Sequence, residues 1–350
     1  MKISSSRLLY AAMFILFILS GSNSAFAGTV TVIQGATVNW FEAADAPYYT
    51  GTSTGTYQTL LTGQNIDGPI TFLSSGSIGT LSLAGASSIG GAIGSSTSSL
   101  NLMNINGAAG RVTLNGASNY ITTTNFVNPA AGATLSLAPG ITLNGNITTS
   151  NPGIGIVEFQ TTGGTAATIN GNIGGANALA EVDVYQGSSA INGNVTATNF
   201  AFKGNGGSLT VGAGYSITTA NPITVASPNS STITYLGSTT IGQNLGAAAG
   251  KFANINFKGG LVTLGANLYS LITTVDSARL DLTGDRTVGT ALLSLVNAGS
   301  ITGAGKKLTL VGGYFDMQSG AASAILDGAV DLTKTTNGTV ALSGDRKSVV

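Results

Sequence analysis

The chain has no histidine and no cysteine among its 350 residues. Histidine is the commonest general base near neutral pH and the commonest neutral metal ligand, so its absence removes histidine-based triads and the usual zinc chemistry. Without cysteine there is no disulfide, and a chain of this length must draw its stability from backbone pairing and stacked apolar side chains. Charge is scarce as well: Lys+Arg and Asp+Glu number 13 each and charged residues make up 7% of the chain, where an ordinary soluble domain carries roughly 25%. A net charge of zero with no block of like charges excludes the electrostatic footprint of a nucleic-acid or anionic-membrane binder. No apolar run reaches the ~20 residues a helix needs to cross hydrocarbon.

The nearest approach to such a run lies at the start. Lys2 and Arg7 form a positive segment, Leu8 to Leu19 a short uncharged apolar stretch, and Ala25-Phe26-Ala27 the small-x-small pattern of a signal-peptidase site. Residues 1–27 are therefore expected to be an export signal, with the mature chain beginning at Gly28.

What the sequence has in quantity is glycine, 51 residues, and Ser, Thr and Asn at most polar positions. Hydrophobic residues still make up 43%, enough to bury a core and too many for a tail held open by charge. One phrase recurs: Ile141-Thr142-Leu143-Asn144-Gly145-Asn146-Ile147 returns as Ala167-Thr168-Ile169-Asn170-Gly171-Asn172-Ile173 and as Ser189-Ala190-Ile191-Asn192-Gly193-Asn194-Val195. The Asn before each Gly thus falls at Asn144, Asn170 and Asn192, a spacing of one small structural repeat rather than of a domain. Looser copies keep an apolar-x-apolar beat, as in Leu81-Ser82-Leu83, Val112-Thr113-Leu114, Leu209-Thr210-Val211, Val262-Thr263-Leu264, Leu280-Asp281-Leu282, Leu308-Thr309-Leu310 and Val340-Ala341-Leu342.

Such alternation, closed by Gly or Asn, is the pattern of short half-buried strands. Asn-Gly supplies the positive φ of a tight corner and fits a two-residue hairpin equally well. A hairpin meander would place matching runs on both sides of each turn, and irregular Gly, Ser and Thr stretches separate the runs instead. The expected fold is all-β, a right-handed parallel β-solenoid (β-helix) over residues 64–344, with degenerate repeats of about 20 to 26 residues. It would hold on the order of 12 coils in a rod about 55 to 60 Å long. Asn144, Asn170 and Asn192 would then stack, either bonded along an amide ladder or serving only as turn residues. Residues 28–63 hold Trp40, Phe41, Tyr48, Tyr49 and Tyr57 and are expected to cap the solenoid. The same aromatics could instead form a sugar-stacking platform.

Two groups of acids merit inspection. Asp276, Asp281 and Asp285 are interleaved with Arg279 and Arg286, which favours an exposed ion-paired edge over the close carboxylate pair of a glycosidase. Glu181 and Asp183 alternate with Val182 and Val184, which predicts a wet outer face over a dry inner one. Lys203-Gly204-Asn205-Gly206-Gly207-Ser208-Leu209 has Asn and Ser where a calcium-binding coil needs carboxylates. Phosphate loops of the Gly-Lys-Thr type are missing, and a serine nucleophile would lack its histidine. No catalytic, cofactor-binding or metal-binding residue is assigned, and no cofactor is expected.

These phrases resemble the passenger regions of autotransporter-type outer-membrane proteins, especially the rickettsial surface antigens of the outer-membrane protein B kind. The likeness covers about Gly63 to Gly344 and rests on Ile169-Asn170-Gly171-Asn172-Ile173-Gly174-Gly175, Asn199-Phe200-Ala201-Phe202 and Leu280-Asp281-Leu282-Thr283-Gly284. The resemblance implies Sec export, passage through the outer membrane, and a role in adhesion to host cells or in a surface coat. It carries over no residue-level site. Such proteins end in a membrane β-barrel with aromatic girdles, a pattern that does not close this chain. Residues 345–350 break the preceding composition and read as a truncation artefact, so membrane attachment is expected only through a barrel not present in this chain. The expected partners are a host-cell surface protein or glycan, or further copies of the chain. A β-helical enzyme acting on polysaccharide and a self-assembling surface-layer protein are the alternatives.

Overall fold

The structure, a computed structural model, describes residues 30–32, 56–60, 65–66, 69–72, 75–83, 86–106, 110–127, 132–161 and 164–344. The expected export signal, the last six residues, and Trp40, Phe41, Tyr48 and Tyr49 of the expected cap lie outside them. Among the described residues there is no helix, and strand pairs with strand in parallel throughout. From Thr56 onward the paired strands lie one repeat apart along the chain, the shortest step running from Tyr314 to Asp331 and the longest from Thr142 to Thr168. A hairpin meander would pair neighbouring strands antiparallel. The chain is instead a β-solenoid of about 12 turns.

Three long ladders carry the stack. One joins Ser87–Ile89, Arg111–Leu114, Thr134–Leu137, Ile154–Phe159, Leu179–Val184 and Val195–Phe202. A second starts among the early coils and runs through Thr142–Thr149, Ala167–Asn170, Gly187–Ile191 and Gly207–Val211 to Thr232–Tyr235, Phe252–Lys258 and beyond. The third takes over in the C-terminal half, from Thr239–Ile241 through Leu261–Leu264, Arg279–Leu282, Gly299–Thr302 and Gly320–Ala322 to Val340–Leu342. Of the expected cap, Val30–Val32 pairs with Ile70–Phe72 and Thr56–Leu60 with Gly76–Leu83, both in parallel.

The apolar beat becomes the core because alternate side chains on a strand face opposite ways. Parallel, in-register stacking places each inward residue on its counterpart one coil away. Leu143, Ile169, Ile191, Val211, Tyr235, Phe257, Val275, Leu295 and Met317 form one such row, in register from coil to coil and buried throughout. Leu114, Leu137, Phe159, Val184 and Phe202 form another. Aromatic rings also pack together in the core: Phe202 meets Phe252 edge-on at 5.0 Å and Tyr235 stacks on Phe257 at 5.8 Å. Each fully buried side chain of this size contributes about 1.5 to 3 kcal/mol, so the rows supply the stability that disulfides supply elsewhere.

The repeated Asn-Gly-Asn phrase acquires a separate reason at each position. The first Asn makes the amide ladder: Asn170 Nδ2 donates to Asn144 Oδ1 and Asn192 Nδ2 to Asn170 Oδ1, both at 2.8 Å. The second Asn clips the next coil's backbone, with Asn146 Oδ1 accepting from Asn172 N at 2.9 Å and Asn172 Oδ1 from Asn194 N at 2.8 Å. Between them no side chain fits. A Cβ on Gly171 would stand 2.2 Å from Gly145 O, and one on Gly193 would stand 1.9 Å from Gly171 O. Of the two roles open to these asparagines, the ladder is the one they take.

Candidate functional site

With so few charges in the chain, the place where several meet is the natural candidate. Glu158 on Ile154–Phe159 stands in register with Asp183 on Leu179–Val184, and Asp183 with Ala201 on Val195–Phe202. Adjacent parallel strands lie about 4.8 Å apart, so two carboxylates are stacked one coil above the other. The neighbouring valines and phenylalanine, Val157, Phe159, Val182 and Val184, fill the core on the opposite side.

Two cations flank the stack. Arg111 Nη2 reaches Glu158 Oε2 at 2.9 Å and Oε1 at 3.1 Å, and Gln160 Nε2 adds a hydrogen bond to Oε2 at 3.1 Å. Lys203 Nζ lies 2.9 Å from Asp183 Oδ2 and 3.1 Å from Glu181 Oε2. The acids between the cations are covered: the Asp183 side chain is 1% exposed and that of Glu158 7%. Asp183 Oδ1 has no hydrogen-bond partner. The expected wet face is therefore a buried polar row. Period two correctly put Glu181 and Asp183 on one side of the strand, but neighbouring coils cover that side and supply its partners.

Burial is the dominant influence on Asp183, and with the nearby negative charges of Glu181 and Glu158 it outweighs the help of Lys203, pushing the carboxyl from its ordinary 3.8 up to about 7. Desolvation acts on Lys203 too, pulling it down, but its hydrogen bonds to Asp183 and Glu181 prevail and raise it to about 12. The two shifts disagree about the bond between these groups. It holds the lysine charged without holding the aspartate charged, and the near-complete burial of Asp183 beside a half-open lysine accounts for the difference. Burial raises the Tyr185 phenol as well, with Glu158 and Asp183 adding to the effect. Glycosidase chemistry asks for two carboxyl groups that both reach a substrate. In this arrangement Asp183 presents no open oxygen.

The acids singled out by sequence are not brought together as an ion-paired edge. Asp276 ends the strand Leu268–Asp276, Asp281 lies in Arg279–Leu282 of a different sheet, and Asp285 follows in the next corner. None of the three is in a salt bridge among the described residues. Asp276 Oδ1 accepts from Asn297 Nδ2 at 2.8 Å, Asp281 Oδ1 from Thr302 Oγ1 at 2.6 Å, and Asp285 Oδ1 from Lys307 N at 2.9 Å. Arg286 turns instead to Thr283 Oγ1 at 3.0 Å and to backbone carbonyls. Each aspartate bonds to the next coil, as the asparagines do. Among the described residues no group of three or more acids is placed to hold a metal ion.

Sequence reasoning missed Arg111, Glu158, Tyr185 and Lys203. The available signal was the coil period itself: Glu158 lies one coil before Asp183, and Lys203 one coil after it.

Much of the remaining surface is hydroxyl- or amide-rich. Asn254 and Asn256 donate to Thr232 and Thr234 one coil away, both at 3.2 Å. It is interrupted by exposed Leu271, Ile272, Val311 and Tyr314, with Ile272, Leu292 and Tyr314 in register on successive coils.

Among known proteins the chain is similar to outer membrane protein A of Rickettsia rickettsii, which is 28% identical over 264 residues, an alignment that takes in 69% of this chain and 11% of that protein. The chain thus spans about a ninth of the relative's length. The relationship is distant, and it is to a protein named outer membrane protein A where the repeated phrases suggested the B kind. No protein-family pattern matches the chain, and no solved structure does.

Proposed function

We propose that this chain is part of an exported, non-catalytic cell-surface passenger, an adhesin or structural coat protein that works by presenting the side of a solenoid to its surroundings. The observation that carries the reading is the 264-residue likeness to a protein named as an outer-membrane protein, falling on a chain folded as stacked coils. The physical character of the surface agrees with it. A face of Asn, Thr and Ser ladders offers donors and acceptors at a regular coil spacing without the charge that would bind polyanions indiscriminately. A partner such as a host-cell surface protein, a glycan or another copy of the chain would be held by many weak contacts along the rod.

The test is display. Antibodies raised against the purified chain are applied to intact cells that make the native protein, before and after protease shaving. Labelling of intact cells that disappears on shaving is the expected result, followed by reduced attachment to host-cell monolayers when the antibody is present. Labelling only after permeabilisation would sink the proposal. Turnover of a polysaccharide panel by the purified chain would replace it with the enzyme alternative.

A further inference from the structure

We propose that Asp183 is a proton-operated latch between coils: with a proton bound in mildly acid medium it tightens the stack that carries Glu158, Asp183 and Lys203, and on losing that proton it loosens the same stack. This goes beyond surface presentation and stands whether or not that reading does.

The geometry carries the inference. Two carboxyl groups sit in register on adjacent strands, both more than nine-tenths buried. Like charges opposed across a sheet destabilise it, and a buried charge without full hydrogen bonding is costly. Glu158 is satisfied by Arg111 and Gln160 and has its countercharge at 2.9 Å. Asp183 must share Lys203 with Glu181, and its Oδ1 has no partner. Of the pair, Asp183 is the one whose charge the fold supports least.

The charged and titratable groups around Asp183 come from each element packed on it: Glu158 from the coil before, Glu181 from its own strand, Lys203 from the coil after, and Arg111 and Tyr185 at the margins. Lys203, raised to about 12, stays positive through the physiological range. The folded-state value of Asp183, about 7, lies above its ordinary 3.8, so the native stack binds the proton more tightly than the opened chain. Its stabilisation is therefore complete below about pH 3.8 and is lost as pH rises through about 7.

Hydrogen exchange by mass spectrometry on the full chain tests this, from pH 5 to pH 8 with rates corrected for intrinsic exchange. In peptides covering Leu179–Val184 and Val195–Phe202 the open-to-closed ratio should rise about tenfold per pH unit up to pH 7, about 100-fold from pH 5. Peptides from Leu261–Leu264 should stay flat. Asp183→Asn should abolish the rise, and Glu158→Gln, which removes the neighbouring charge, should move it to lower pH. A flat wild-type profile, or a rise that survives in Asp183→Asn, overturns the latch. Should Asp183→Asn fail to fold, a Glu158→Gln profile that coincides with the wild type overturns it.

Discussion

Replacing Gly171 by alanine tests whether the coils are held at a distance that leaves no room for a side chain. The new Cβ would lie 2.2 Å from Gly145 O and 2.5 Å from Gly145 C. Real Cβ contacts essentially never fall below 3.0 Å, so the coils must part locally by about 0.8 Å. Just past Gly171, three bonds donated by backbone N–H groups cross this gap at 2.8 to 2.9 Å: Ile147 N to Asn172 O, Asn172 N to Asn146 Oδ1 and Gly174 N to Ile147 O. Stretched by that amount they pass out of bonding range, and at about 1 kcal/mol each the loss is about 3 kcal/mol. Gly171 does not have a positive φ, so the whole cost is contact rather than backbone strain.

The effect has a direction. The clash is with the preceding coil, so amides of Ile147, Asn172 and Gly174 should lose protection from hydrogen exchange. Ile173 N and Asn194 N, which bond across the following gap, should keep theirs. Equal loss on both sides, or unchanged protection at Asn172 and Gly174, would refute the reasoning.

Gly206→Ala supplies the contrast: nothing lies within 4 Å of its Cβ but its φ is +81°, so chemical denaturation should show only the cost of a left-handed residue, about 1 kcal/mol. Asn170→Ala removes one donated and one accepted ladder bond at an exposed position, and the same measurement should find about 1 kcal/mol because water competes for both groups. Tyr235→Phe should leave stability unchanged or raise it by about 1 kcal/mol, since the hydroxyl is buried without a partner; a loss above that would show that the hydroxyl is satisfied. Lys203→Met strips Asp183 of its cation, and the variant should lose more stability at pH 8 than at pH 5 because the uncompensated charge exists only when the proton is gone.

The fold was legible because its signal is local. Leu280-Asp281-Leu282 and its kin announce an inward pair within three residues, and Leu280 and Leu282 are buried. The stacking of Asn144, Asn170 and Asn192 followed from an identical phrase at one coil's spacing. The charged row was not legible, because its meaning is held by residues one coil away. Glu181 and Asp183 read alone are two acids on a wet face. Only pairing with Ile154–Phe159 and Val195–Phe202 brings Glu158 and Lys203 beside them. Nearness in sequence misled in the opposite sense for Asp276, Asp281 and Asp285, which a few residues of solenoid distribute over two sheets and a corner.

The coils are unequal in length, from the short step between Tyr314 and Asp331 to the long one between Thr142 and Thr168, yet their strands stay in register. A coil can therefore gain or lose several residues while its inward side chains still meet their counterparts. Extra residues are taken up in the corners or in a bulge such as the register shift between Asn144 and Asn146, and the buried rows keep count. A protein built this way can change what it shows to the outside by lengthening, trimming or rewriting one corner at a time. No such change requires a compensating one in the core.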